Sequence, residues 1–225
     1  MDIFDGVRAV LFDMDGTLVD TNIDFALMKR EALAIADRYG VPMDEVRDLD
    51  ILSIIERTVA RLREESRADE ADLVERTANE RLEEIEIGFC ANALLVPHTL
   101  ELLHRLRELK IGIGIVTRNS RRAVLLSMER TGVFSDVLLT RDDVPLTKPD
   151  PDHLLRALDL LHVPPEESLI IGDHWMDVQA GHAAGTRTIG FLRPDRPENF
   201  FDKVHPDLVI RDLGELIPRT ERLKD

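Results

Sequence analysis

Apolar residues occur in two rhythms along this chain. In the run Val10-Leu11-Phe12, preceded by Val7-Arg8-Ala9, they are nearly continuous, which predicts a short buried strand. From about Thr21 to Val96 they recur at helical spacing, as in Leu27, Ala34 and Ile35, then Ile51, Ile54, Ile55 and Val59. Three helices are predicted there, over about 22–39, 44–65 and 68–87, with Gly40 and Gly88 as stop signals and no strand among them. From Pro97 onward the two rhythms alternate. Helices are expected over 99–109, 120–130, 150–161 and 177–184, and strands over 111–117, 136–140, 168–171, 188–191 and 208–210.

Alternation of this kind implies an α/β fold, a Rossmann-like parallel sheet with helices on both faces. Residues 1–20 and 97–225 read as that domain, and residues 21–96 as a helical domain inserted after its first strand. A length of 225 residues, 44% of them hydrophobic, allows a large core with an insert. The formal net charge of −15 argues against non-specific nucleic-acid binding, which needs a basic surface, but not against an anionic substrate at a locally positive site. The single cysteine, Cys90, excludes an internal disulfide and fits a reducing compartment. With no signal-peptide pattern at the start and no apolar run near the ~18 residues that span a bilayer, a cytoplasmic protein without membrane association is expected.

The polar residues that change the picture stand at the strand ends. Asp13 and Asp15 follow the first strand, with Gly16, Thr17 and Leu18 behind them. Thr117, Arg118 and Asn119 follow the strand over 111–117. Lys148 lies in the loop Thr147-Lys148-Pro149-Asp150, and Gly172-Asp173 follows the strand over 168–171, with Asp177 four residues on. Open parallel sheets bind ligands at the carboxyl ends of their strands. Acids gathered there repel one another unless a lysine or a metal is present, and a hard divalent cation such as Mg²⁺ suits an all-oxygen site beside a phosphoryl group. Taken singly, each residue has a plainer reading. Asp13 and Asp15 are ordinary turn formers, Asp177 suits a helix N-terminus, and a lone lysine is usually solvated.

Together and in this order the residues resemble the four motifs of the haloacid dehalogenase-like (HAD) hydrolase superfamily. Asp13-Met14-Asp15-Gly16-Thr17 is similar to the first, Thr117 to the second, Lys148 to the third, and Gly172-Asp173 through Asp177 to the fourth. The insert resembles the family's small α-helical cap of subclass I, which would act as a lid. The resemblance implies a phosphoglycolate-phosphatase-like enzyme acting on a small phosphorylated metabolite. Asp13 would be the nucleophile and Asp15 the general acid and base. Thr117 and Lys148 would hold the phosphoryl group, with Gly16, Thr17, Arg118 and Asn119 around it. Asp13, Asp15, Asp173 and Asp177 would form the Mg²⁺ side, Asp177 orienting either Lys148 or a metal-bound water.

Three alternatives share this fold. A phosphomutase of the β-phosphoglucomutase kind shares both aspartates. An inorganic pyrophosphatase would place Arg118 on the distal phosphate, although Arg118 equally suits a surface ion pair. A non-catalytic partner-binding protein on this fold would be expected to have lost Asp13 or Asp15. The chain is expected to be a monomer or a homodimer.

Overall fold

A computed structural model describes residues 2–220. The run after Arg8 forms β1 (Ala9–Phe12), buried at every position, and the chain turns into the two-residue β2 (Val19–Asp20). Four helices follow: α1 (Phe25–Arg38), α2 (Met43–Val46), α3 (Ile51–Glu64) and α4 (Ala68–Cys90). After β3 (Leu94–Leu95) come α5 (Thr99–Glu108), β4 (Gly112–Val116), α6 (Arg121–Thr131), β5 (Val137–Leu139) and α7 (Asp152–Leu161). The chain ends with β6 (Ser168–Gly172), α8 (Trp175–Ala184), β7 (Arg187–Phe191), β8 (Leu208–Ile210) and α9 (Ile217–Thr220).

Six strands form one parallel sheet in the order β5-β4-β1-β6-β7-β8. Period-two alternation sends successive residues of β1 to opposite faces. Val10 and Phe12 join the cluster of Leu102, Leu103 and Leu106 from α5. Ala9 and Leu11 join Leu154, Ala157 and Leu158 of α7 with Ala180 of α8. A strand buried on both faces has no room for polar residues until it ends, so its acids appear only after Phe12. Phe12 pairs level with Ile115 of β4 and Ile171 of β6, which brings the residues following all three strands to one edge.

The described residues divide into two compact units. One is helical, Asn22–Phe89, and the other contains the parallel sheet. Among the described residues, no helix is long and apolar enough to cross a membrane.

Four sequence expectations need correction. The helix expected over 44–65 is two helices, because the Asp50 side chain caps the start of α3, accepting from Leu52 N at 3.2 Å, Ser53 N at 3.4 Å and Ser53 Oγ at 2.6 Å. Gly88 does not stop α4, which continues to Cys90. The stretch read as strand-free contains β3, paired antiparallel with β2 and so packed with the sheet unit. Finally, α8 starts at Trp175 rather than Asp177, because His174 is its cap.

The break before α3 yields a test of the Asp50 cap. Asp50→Ala should cost about 1 kcal/mol, read as a lower urea midpoint at unchanged slope. A midpoint equal to the parent's would mean that the cap contributes nothing.

Candidate active site

Asp13 is the first residue beyond β1, and its N–H donates to Ile171 O of β6 at 2.9 Å. The chain then folds back tightly. Leu18 N and Val19 N donate to Met14 O at 2.9 and 3.1 Å, and Gly16 N donates to Val19 O at 2.7 Å. Gly16 adopts φ +88°, and a side chain there would overlap the Asp173 carboxylate. Glycine is therefore required twice at this position, for the turn and for the close approach. Asp173 is the first residue beyond β6, and Thr117 the first beyond β4, its N–H donating to Leu139 O at 2.9 Å.

Lys148 connects three of these elements. Its side chain is 2% exposed, and Nζ donates to Asp13 Oδ1 at 2.7 Å and to Asp177 Oδ1 at 2.5 Å. The other oxygen of Asp177 accepts from His174 N at 3.1 Å, which closes a capping box at the start of α8. Gly172 leaves room for Asp177, since a side chain there would strike its carboxylate. On the far side, Lys148 N donates to Nδ1 of the buried His153 at 3.3 Å. Burial, reinforced by the Lys148 charge, pushes His153 down to about 3, so the ring is neutral and free to accept.

The electrostatics follow from placing several acids out of water. Burial raises Asp13 from 3.8 to about 7. The Lys148 charge opposes that rise, and Asp177 and Asp15 add to it. Asp173 is also pushed well up, first by burial and then by Asp13 and Asp177, with Arg193 pulling the other way. Asp15 is raised by burial against its two hydrogen bonds from Thr21, N at 3.0 Å and Oγ1 at 2.5 Å, both to Oδ1. For Lys148, burial alone would lower the ammonium, but Asp13 and Asp177 outweigh it and the group is raised.

The structure thus links Asp13, Lys148 and Asp177 directly and sets Asp173 against Gly16. Thr17 is fully buried, and its Oγ1 has no protein partner. Asn119 N donates to Thr117 Oγ1 at 3.3 Å, which fixes the turn after β4. Arg118 follows Thr117 at the same edge. Its Nη1 lies 2.6 Å from Met176 Sδ, and its carbonyl accepts from Arg141 Nη1 at 3.1 Å.

Two residues of this site escaped the sequence reading. His153 carries no motif signal. Arg193 could have been found by the rule that located the others, because it stands two residues beyond the end of β7 on the same edge. Its Nη2 is 3.3 Å from Asp20 Oδ2, and its Nε is 3.2 Å from Asp195 Oδ1 and 4.0 Å from Asp173 Oδ2.

Residues 10–191 match the family model of haloacid dehalogenase-like hydrolases, and the chain belongs to that family. Pyrophosphatase PpaX of Bacillus velezensis is 32% identical over 218 residues, covering 94% of this chain and 95% of the relative. A haloacid dehalogenase-like hydrolase of Bacteroides fragilis aligns with a TM-score of 0.66 at 30% identity, over 94% of this chain and 100% of that one. A HAD phosphatase of Thermococcus onnurineus aligns with a TM-score of 0.62 at 26% identity, over 95% and 97%.

The raised carboxyl of Asp13 has a consequence for stability. Below pH 3.8 it is neutral folded and unfolded, and above about 7 it is charged in both states. Between those values the unfolded chain ionises first, so stability falls as pH rises through that window. In EDTA, Asp13→Asn should therefore lose less stability than the parent between pH 5 and pH 8, by at least about 1 kcal/mol in urea melts. Parallel losses in the two proteins would rule out a raised Asp13.

Proposed function

We propose that this protein is a Mg²⁺-dependent phosphatase that hydrolyses a small phosphorylated metabolite through an aspartyl-phosphate on Asp13. The observation that carries the reading is the buried Lys148, held between Asp13 and Asp177 at 2.7 and 2.5 Å. A surface turn has no need of that arrangement, whereas a nucleophilic carboxylate facing an anionic phosphoryl group does. The relatives named as a pyrophosphatase and a phosphatase support the same class.

The donor set suits Mg²⁺. Among the described residues no three His, Cys, Asp or Glu side chains are grouped as a ready-made cage. The site offers two buried carboxylates, Asp13 and Asp173, both pushed up chiefly by burial and further by neighbouring acids. Asp173 also lies against the Gly16 backbone, in space that a side chain there would fill. Two carboxylates with main-chain and ligand oxygens are typical of how this ion is bound. Asp13 and Asp173 would hold it with the Asp15 carbonyl, and when bound it supplies charge that lets an anionic nucleophile approach an anionic substrate. Both Asp177 oxygens already accept from protein donors, so its role is to orient Lys148.

In the first step a carboxylate oxygen of Asp13 bonds to phosphorus and the bond from phosphorus to the leaving oxygen breaks. Asp15 gives its proton to that oxygen, and a carboxyl raised by burial is suited to carry one. In the second step water attacks phosphorus, Asp15 takes the water's proton, and the bond from phosphorus to Asp13 breaks, restoring both acids. Lys148 stabilises the charge that grows on the phosphoryl oxygens. Thr117 and the buried hydroxyl of Thr17 are the neutral donors beside it. The helical unit Asn22–Phe89 is proposed as the cap, and the single cysteine fits a reducing, cytoplasmic compartment.

The test is phosphate release from phosphoglycolate, sugar phosphates, nucleotides and pyrophosphate, with Mg²⁺ or with EDTA. Release should require Mg²⁺ and fall by at least about 10³-fold in Asp13→Asn. Release that persists in EDTA, or survives that substitution, would refute the mechanism.

A further inference from the structure

Arg193 has no place in the mechanism above, yet it sits among its acids. It contacts Asp20, Asp195 and Asp173 from the end of β7. Its guanidinium lies 4.0 Å from Asp173 Oδ2 and 3.3 Å from Asp20 Oδ2, so it stands beside the acids that gather at this edge. Lys148, another cation of the site, is committed to Asp13 and Asp177. The partners of Arg193 hold it less firmly. The side chains of Asp20 and Asp195 are 38% and 65% exposed, and ion pairs of that kind contribute little. The contacts to these three acids use Nε and Nη2, which leaves Nη1 for a ligand.

We propose that Arg193 supplies a further fixed positive charge in this site and is a specificity-determining residue, favouring substrates that carry another anionic group beside the phosphoryl group. The proposal rests on the phosphatase reading. A fixed cation has a signature that a brace lacks. It opposes binding of another cation and assists binding of an anion, so its removal moves the two affinities in opposite directions. A residue that only holds loops in place weakens both when it is lost.

The experiment compares the parent, Arg193→Gln and Arg193→Lys by calorimetry. Metal-free protein is titrated with Mg²⁺, and Mg²⁺-saturated protein with inorganic phosphate. Arg193→Gln should bind Mg²⁺ about threefold more tightly and phosphate about tenfold more weakly, with Arg193→Lys close to the parent in both. Its KM for pyrophosphate should rise at least about fivefold more than its KM for p-nitrophenyl phosphate, whose leaving group lacks a second phosphoryl group. Weakening of both ligands, no change in either, or equal rises in the two KM values would overturn the assignment of Arg193 while leaving the phosphatase reading intact. A parent protein that binds neither Mg²⁺ nor phosphate and releases no phosphate would overturn both.

Discussion

One buried ammonium group organises this protein's chemistry. Lys148 is nearly sealed from water and is shared by the carboxylates of Asp13 and Asp177. None of the three is comfortable alone at this depth, since burial drives a lone lysine to lose its proton and a lone carboxylate to gain one. Held together, Lys148 keeps its proton and offsets part of the burial that raises Asp13, so the geometry becomes a condition of ionisation rather than an addition to it. Breaking such a set leaves an uncompensated charge inside, which is more costly than never having built the pair. The surrounding structure therefore has to deliver three side chains from three separate elements to one point.

It does so through the sheet. Because β1, β4 and β6 are level at their ends, Asp13, Thr117 and Asp173 follow one another across the edge without any long loop. Lys148 comes from a longer connection, and that connection is pinned from behind by the neutral His153. Asp177 comes from the first turn of α8, where the capping box with His174 fixes its orientation. Gly172 and Gly16 leave empty the volumes that the Asp177 and Asp173 carboxylates occupy. Small residues and neutral donors, not further charges, hold the charged groups in register.

Much of this was legible in the sequence because it depends on local rules. The continuous run through Phe12 marked a central strand, and its abrupt end at Asp13 marked the edge. The acids, Thr117 and Lys148 all followed from asking which polar residues stand at strand ends. What was missed depends on tertiary partners or on competition between weak signals. Asp50 divides a stretch whose apolar spacing runs on unbroken, because a cap acts through side-chain hydrogen bonds that periodicity does not register. Gly88 has the residue type of a stop signal but lies where α4 continues. Two leucines at 94–95 are too short to announce a strand, and become one because Val19 and Asp20 lie beside them. His153 matters only because Lys148 folds over it.

The two aspartates after β1 are one sequence motif placed in two environments. Asp13 and Asp15 are the same residue type, two positions apart, and both are buried. They differ in partner. Asp13 meets an ammonium at 2.7 Å, which opposes the rise that burial imposes on it. Asp15 meets only the neutral donors of Thr21, with the Asp20 charge working against its ionisation. An acid so placed is suited to hold a proton until a leaving oxygen needs it. Environments that treat neighbouring carboxyls differently are how acid and base functions are assigned in a single site. In the proposed mechanism that difference comes from Lys148, which hydrogen-bonds Asp13, whereas Asp15 is held by Thr21.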